Sequence, residues 1–203
     1  MALIVIGGHS QRVGKTSVVA GIIAALPEYR WSALKITPHG HGLESATGRE
    51  KAPWAIFEET DRTGNSDTSR FLAAGAERAF WVRTASDRLV DAMPMVQGKL
   101  AEAKNAIVES NSVIRFLKPD LYFVVVNPEV ADFKPSAREF LDCADAVILH
   151  CRPGQADTEW VNAKLKSAAK RPIFLITPPP YVTPEIVEFV RSALVSRNPV
   201  AGR

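Results

Sequence analysis

The sequence predicts a three-layer α/β fold built on a doubly wound, mostly parallel sheet. Apolar runs rich in β-branched residues alternate along the chain with segments of helical periodicity. These apolar runs are continuous, which is typical of strands that are covered by helices on both faces. Strands that alternate with helices pair in parallel through right-handed crossovers. With 203 residues the chain suits one such domain, and we assign all of 1–203 to it.

The elements follow in order along this pattern. The predicted strands are 2–6, 32–37, 79–83, 105–109, 121–126, 146–149 and 172–176. The predicted helices are 15–26, 67–75, 86–103, 135–143, 157–170 and 183–196. The last of these has a capping residue, Thr183, followed by Pro184, which suits a first helical turn. The segment 38–66 has no periodicity, and we expect a mobile loop there, because long loops within compact domains are usually functional or mobile.

Composition and charge exclude several classes of protein. Hydrophobic residues make up 46% of the chain and charged residues 23%, as in ordinary globular proteins. The net charge is only +3 and the basic residues are scattered, so no nucleic-acid partner is expected. The apolar start is too short for a signal peptide, and no run reaches the length of a membrane span. With two cysteines and no CxxC spacing, the expected location is the reducing cytoplasm.

The strongest motif is Gly14-Lys15-Thr16, which lies where the first predicted strand gives way to the first helix. In a phosphate-binding loop, glycines let backbone N–H groups converge on phosphate oxygens, and the helix directs its positive end at the same anion. The lysine reaches the outer phosphates, and the hydroxyl binds Mg²⁺. The motif therefore predicts a nucleoside triphosphate, ATP or GTP, bound with Mg²⁺. The simpler alternative is an ordinary strand–turn–helix with a lysine in its first turn.

The loop is one residue longer than the common GxxxxGK[ST] pattern, because Gly8 lies six positions before Gly14. We assign nucleotide binding to the whole loop and the start of the helix. These residues are Gly8, His9, Ser10, Gln11, Arg12, Val13, Gly14, Lys15, Thr16 and Ser17.

Two acids are placed to complete a magnesium site. Glu109 ends the predicted strand 105–109, and Asp67 opens the predicted helix 67–75. The carboxyl ends of parallel strands meet at one edge of the sheet, so both acids are expected near the loop. We assign Thr16, Asp67 and Glu109 to the metal, and Lys15, Asp67 and Glu109 to catalysis. The alternatives are a solvated strand end for Glu109 and a helix N-cap for Asp67.

A further basic group follows the second predicted strand. Lys35, His39 and His41 lie in "KITPHGH", and we interpret them as a cationic patch facing an acidic substrate. The two histidines could instead bind a metal, or all three could be surface polar residues. A second open question is the base: Pro178–Pro180 follow the last strand and are candidates to frame it. No Asn/Thr-Lys-x-Asp stretch favours guanine, so ATP and GTP both remain open.

Taken together, four stretches resemble a known family: "LIVIGGHSQRVGKTSVVAGIIAAL", "ALKITPHGHG", "SDTSRFLAAGA" and "AIVES". In this order they resemble molybdopterin-guanine dinucleotide biosynthesis protein B, a P-loop NTPase of the SIMIBI class. The resemblance covers about residues 3–126. The longer loop is similar to that of dethiobiotin synthetase, and Ser110 stands where the family has glycine. The position of the signature lysine of deviant Walker A loops is occupied by Ser10.

The resemblance implies a P-loop NTPase fold and a homodimer, and three alternative functions remain open. The first is an Mg-dependent GTPase or ATPase that assists molybdopterin-type cofactor metabolism, with a cofactor-biosynthesis protein as its partner. The second is an ATP-dependent kinase or ligase of the dethiobiotin synthetase type, acting on an acidic small molecule. The third is a nucleotide-sensing interaction module without turnover.

Overall fold

The computed structural model describes residues 1–39, 54–85, 88–151 and 171–197. Its centre is an eight-stranded sheet with the order β3-β4-β2-β5-β1-β6-β7-β8. The strands are β1 (Leu3–Gly8), β2 (Trp31–His39), β3 (Trp54–Glu58), β4 (Arg78–Ala85), β5 (Asn105–Glu109), β6 (Leu121–Val126), β7 (Ala146–His150) and β8 (Ile173–Ile176). The helices are α1 (Lys15–Ala25), α2 (Asp67–Ala73), α3 (Leu89–Ala101), α4 (Pro135–Phe140) and α5 (Pro184–Arg197).

The predicted three-layer, doubly wound sheet is confirmed. Every strand pair is parallel except β3–β4, which is antiparallel. One core joins the sheet to α1, α2 and α5, through side chains such as Ile22, Phe71 and Val190. The other core lies on the opposite face against α3 and α4, with Met93 and Phe140. Burial on both faces explains why the central strands are continuous apolar runs.

The strand β3 was not expected from the sequence, because it lies within 38–66, which has no periodicity. It is an edge strand whose five residues are only partly buried, so its side chains do not form an apolar run. Residues 40–53 of the predicted loop lie outside the described residues, and so does the predicted helix 157–170. Among the helices in the described ranges, none combines the length and hydropathy that crossing a bilayer requires.

The strand order places the candidate residues together. Strand β1 lies between β5 and β6, and β2 lies on the other side of β5. Because these strands are parallel, Gly8, Lys35 and Glu109 all approach the same edge of the sheet. Helix α1 begins at this edge, and the N-terminus of α2 lies beside it, since Asp67 contacts Lys35.

Candidate functional site: a phosphate-binding loop with a buried acid–lysine cluster

The connection from β1 to α1 has the backbone geometry of an anion-binding loop. Arg12 and Gly14 both have positive φ, 56° and 90°. Left-handed residues in such a loop let successive N–H groups face one side. Helix α1 begins at Lys15 and its N-cap, Gly14, provides no side-chain cap. The N–H groups of the first turn are therefore directed at the cleft in front of the helix, where an anion can accept from them.

At two positions of this loop only glycine fits, because a Cβ atom would lie too close to neighbouring side chains. A Cβ atom on Gly14 would lie 2.4 Å from Cε1 of Tyr181, in addition to the strain of its positive φ. A Cβ atom on Gly8 would lie 2.8 Å from Cγ2 of Val13 and 2.9 Å from the stem of Lys15. Gly8 therefore lets the lysine stem pass close to the backbone of the loop.

The loop is fixed from behind by a side chain that the sequence did not reveal. The amide oxygen of Asn111 accepts from the N–H of Gly8 at 2.8 Å, and its amide nitrogen donates to the carbonyl of Gly8 at 2.9 Å. Asn111 lies two residues after Glu109, the last residue of β5. The segment that follows this strand therefore also holds the start of the loop. A polar residue just after a strand next to β1 was the only signal in the sequence.

The side chains of three predicted binding residues support the loop from the side away from the cleft. His9 is fully buried; its Nε2 donates to the carbonyl of Val130 at 3.0 Å, and its main-chain N–H donates to Val125. The hydroxyl of Ser10 donates to Asp132 at 2.8 Å, and Val13 is fully buried. The side chains of His9, Ser10 and Val13 are thus engaged by other parts of the protein, which leaves their main-chain groups for a nucleotide, and their assignment to nucleotide binding stays a prediction.

The cleft in front of the loop has a volume of about 460 Å³, which is within the range of small-molecule sites. Its lining comes mostly from the glycine loop, α1, α2 and the ends of β2 and β5. The lining residues are Gln11, Arg12, Gly14, Lys15, Thr16, Ser17, Lys35, Ile36, Thr37, Pro38, Asp67, Arg70, Glu109, Lys134 and Tyr181. Arg70, Lys134 and Tyr181 were not singled out in the sequence, since each lies far along the chain from the glycine loop.

Lys15 lies at the centre of this cleft. Its Nζ donates to the carbonyl of Ser10 at 2.6 Å, so the ammonium folds back over the loop. Burial lowers the pKa of Lys15 from 10.5 to about 8, while Glu109 raises it in part. Among the described residues no carboxylate is in hydrogen-bond contact with this buried ammonium, which is therefore suited to receive phosphate oxygens.

Thr16, Asp67 and Glu109 are brought together as predicted. The hydroxyl of Thr16 donates to Oε2 of Glu109 at 2.8 Å, in the buried part of the site. Lys35 joins them: its Nζ lies 2.9 Å from Oε1 of Glu109 and 2.5 Å from Oδ2 of Asp67. Glu109 is only 4% exposed, so it ends its strand inside the site and the alternative of a solvated strand end is wrong.

The charges in this cluster stabilise one another. Burial would lower the pKa of Lys35, but Glu109 and Asp67 offset this effect and raise it. Burial would raise the pKa of Asp67, but the hydrogen bond and the charge of Lys35 lower it. The Lys35 ammonium and the Asp67 carboxylate are therefore both charged at neutral pH.

Asp67 is not the N-cap of its helix, because Ser66 fills that position. The Ser66 hydroxyl accepts from the N–H of Ser69, and the Ser69 side chain accepts from the N–H of Ser66. Glu59 accepts from the hydroxyls of Ser66 and Thr68 and holds this turn in place. The carboxylate of Asp67 is thereby available to face Lys35 and the cleft.

The predicted cationic patch of Lys35, His39 and His41 is only partly described. The structure pairs Lys35 with two acids, which differs from a free cation facing an acidic substrate. His41 and the side chain of His39 lie outside the described residues. Among the residues that are described, no group of three or more His, Cys, Asp or Glu is arranged to hold a metal. A metal here would need Thr16 and ligand oxygens as well as the two acids.

Three solved structures that are similar to this chain are distant from it in sequence. HypB from Helicobacter pylori, in complex with nickel, is 16% identical, with a TM-score of 0.49 over 97% of this chain and 86% of that one. LpxK from Aquifex aeolicus, in complex with ATP, is 18% identical, with a TM-score of 0.48 over 86% of this chain and 53% of that one. Bacillus subtilis MobB is 20% identical, with a TM-score of 0.38 over 94% and 96%.

Bacillus subtilis MobB is therefore among the solved structures to which this chain is similar, and at these identities and TM-scores the likeness assigns no family. No protein-family model matches the chain, and no curated protein matches it either.

The two hydrogen bonds between Asn111 and Gly8 give a first testable prediction. Replacing Asn111 by alanine should weaken binding of ATP and GTP about fivefold or more, because the loop loses both bonds at Gly8 and its N–H groups are no longer preorganised. Asn105→Ala is the matched control: Asn105 also bridges two backbone groups, Ala2 N–H and the Tyr29 carbonyl, but at the opposite end of β5.

Both variants should lower the melting temperature, and only Asn111→Ala should lower nucleotide affinity measured by calorimetry. Equal nucleotide affinity in the two variants would show that the bonds between Asn111 and Gly8 have no part in nucleotide binding.

Proposed function

We propose that the protein binds ATP or GTP together with Mg²⁺ and hydrolyses the nucleotide slowly or transfers its terminal phosphoryl group. One observation carries the proposal: Lys15 and Thr16, at the N-terminus of α1, share a cleft with the buried carboxylate of Glu109. A buried cation, a helix N-terminus and hard oxygen donors are the groups that a metal-bound triphosphate requires.

The donor set fits magnesium. Thr16 offers a hydroxyl and Asp67 and Glu109 offer carboxylates, and Mg²⁺ is commonly held by one or two carboxylates with phosphate oxygens and water completing its shell. When bound, Mg²⁺ offsets charge on the outer phosphates. Lys15 receives the same phosphates from the loop side, and Glu109 orients the hydroxyl of Thr16 through their 2.8 Å bond.

A further cation can stabilise the negative charge that develops on the phosphoryl group during its transfer. Arg70 lines the cleft, and its Nη2 donates to the hydroxyl of Ser17 at 2.9 Å. This bond anchors the guanidinium beside the first turn of α1. Because phosphoryl transfer is promoted mainly by positioning and charge neutralisation, Lys15 and Arg70 with the loop N–H groups provide the necessary groups.

Tyr181 is a candidate contact for the nucleotide base. It directly follows Pro178–Pro180, which are the candidates from the sequence for framing the base. Its ring lies against Gly14 and lines the cleft. An aromatic face can stack on either purine, and so it does not select between ATP and GTP. Titration with each nucleotide would give the preference.

A kinase or ligase acting on an acidic small molecule is the second candidate. Thr37 and Pro38, near the end of β2, also line the cleft, and Lys134 adds a cation to its lining. The cleft therefore offers charge for an anionic acceptor as well as for the nucleotide. Turnover that rises with added dicarboxylates or amino acids would favour this function, and turnover independent of them would favour simple hydrolysis. Binding without any turnover would favour the nucleotide-sensing module.

The accessory role in molybdopterin-type cofactor metabolism, with a cofactor-biosynthesis protein as its partner, is our proposal from the motif resemblance. We also place the protein in the reducing cytoplasm, where its free thiols, Cys143 and Cys151, would persist. Purified protein assayed for phosphate release from ATP and GTP, with and without Mg²⁺, tests the common core of these functions. No release and no binding under any of these conditions would refute it.

We further propose a homodimer, as the resemblance implies. Since Ser10 stands in the position of the signature lysine and donates to Asp132 of its own chain, pairing should not require nucleotide. Light scattering should give twice the chain mass with and without ATP. A monomer at high concentration in both states would contradict the dimer.

A further inference from the structure

The ammonium of Lys35 lies among the oxygens assigned above to Mg²⁺. Its Nζ is 2.9 Å from Glu109 Oε1, 2.5 Å from Asp67 Oδ2 and 3.5 Å from the Thr16 hydroxyl. All three side chains of the proposed metal site thus contact one lysine of the same chain.

This arrangement is built into the sheet. Lys35 and Glu109 are register partners on the adjacent parallel strands β2 and β5, so their side chains leave the same face at the same level. Asp67 reaches them from the first turn of α2, whose cap is completed by Ser66. The Lys35 side chain is only 18% exposed, which keeps its ammonium near these oxygens.

A metal ion and this ammonium compete for the same oxygens. Mg²⁺ requires oxygens at about 2.0–2.1 Å in octahedral geometry, so it must displace Lys35 from the carboxylate oxygens that the ammonium contacts. Like charges a few ångströms apart inside a protein also repel strongly. Lys15, Arg70 and Lys134 line the same cleft and add positive charge. The phosphates of a nucleotide bring negative charge that offsets these cations and favours entry of a divalent cation.

We propose that Lys35 is a tethered cation that competes with Mg²⁺ for Glu109, Asp67 and Thr16, so that the protein takes up the metal only with nucleotide phosphates. The inference rests on the proposed nucleotide site. It predicts that the nucleotide-free protein binds divalent metal weakly and that removing the charge of Lys35 strengthens metal binding.

The test measures Mn²⁺ binding to nucleotide-free protein from the electron paramagnetic resonance signal of the free ion. Lys35→Gln should bind Mn²⁺ at least about tenfold more tightly than wild type, because the amide leaves both carboxylates in place and removes the competing charge. Lys118→Gln, the same charge change at an exposed lysine outside the site, should match wild type. Adding Glu109→Gln to Lys35→Gln should abolish the gain.

If Lys35→Gln does not fold in the absence of metal, a second measurement still tests the inference. The acids left without a cation should then be stabilised by metal, so millimolar Mg²⁺ should raise the melting temperature of this variant, or restore its fold, and leave wild type unchanged. Mn²⁺ affinity equal to wild type, or no response of melting to Mg²⁺, would overturn the inference. Calorimetric titration of wild type with ATP and GTP tests the nucleotide site separately, so a failure of the function is distinguished from a failure of the tethered cation.

Discussion

Replacing Lys15 by methionine is expected to weaken binding of MgATP and MgGTP at least tenfold, or about 1.4 kcal/mol. Methionine keeps the length of the stem that passes Gly8 and removes the ammonium that meets the outer phosphates. Affinity is measured by calorimetry. Lys118→Met is the control, since Lys118 is exposed and outside the cleft. Unchanged affinity in Lys15→Met would refute the assignment of the loop.

The same substitution should not destabilise the nucleotide-free protein. Burial lowers the pKa of Lys15 to about 8 from 10.5, so keeping this lysine charged opposes folding wherever it is protonated in both states. This cost in folding free energy is full below pH 8 and disappears as the pH rises towards 10.5. Lys15→Met should therefore melt at a higher temperature than wild type at pH 7, and the difference should narrow between pH 8 and 10.5. A lower melting temperature at pH 7 would contradict this account.

Replacing Glu109 by glutamine is expected to slow phosphate release at least tenfold, about 1.4 kcal/mol of barrier, while changing nucleotide affinity little. Glutamine can still bond Thr16 and Lys35, but it removes the buried charge that faces the metal position. In the proposed site the phosphates rest mainly on Lys15 and the loop N–H groups, which this substitution leaves unchanged.

The control for this variant is Glu139→Gln, which removes an exposed carboxylate paired with Arg115 outside the cleft. Phosphate release is measured at saturating Mg²⁺ for wild type and both variants. A wild-type rate in Glu109→Gln would mean that this acid is structural and that catalysis depends on Asp67 or another group.

Much of the site could be predicted because parallel strands end at one edge of the sheet. Glu109 and the glycine loop belong to neighbouring strands, each an uninterrupted apolar run, so their meeting follows from fold class and strand order. The edge strand β3 could not be predicted in this way. It is half exposed, so its pattern carries no burial signal.

The remaining groups depend on contacts between distant parts of the chain. Asn111 bonds Gly8 across 103 positions, and Tyr181 approaches Gly14 from the loop after the last strand. Neither contact has a local sequence signature. The pairing of Lys35 with Glu109 requires the register of β2 on β5, which periodicity does not give. Lys35 was therefore predicted to face a substrate, although the structure surrounds it with acids.

The most direct test of the phosphate site is the response of individual backbone amides to nucleotide. Non-hydrolysable ATP and GTP analogues with Mg²⁺ would be titrated into ¹⁵N-labelled protein, and amide chemical shifts followed by NMR. The account predicts that the largest changes fall on Gln11, Arg12 and Gly14–Ser17, whose residues line the cleft in front of α1, and that Lys15→Met reduces them. Shifts absent at saturating analogue, or concentrated away from this loop, would contradict it.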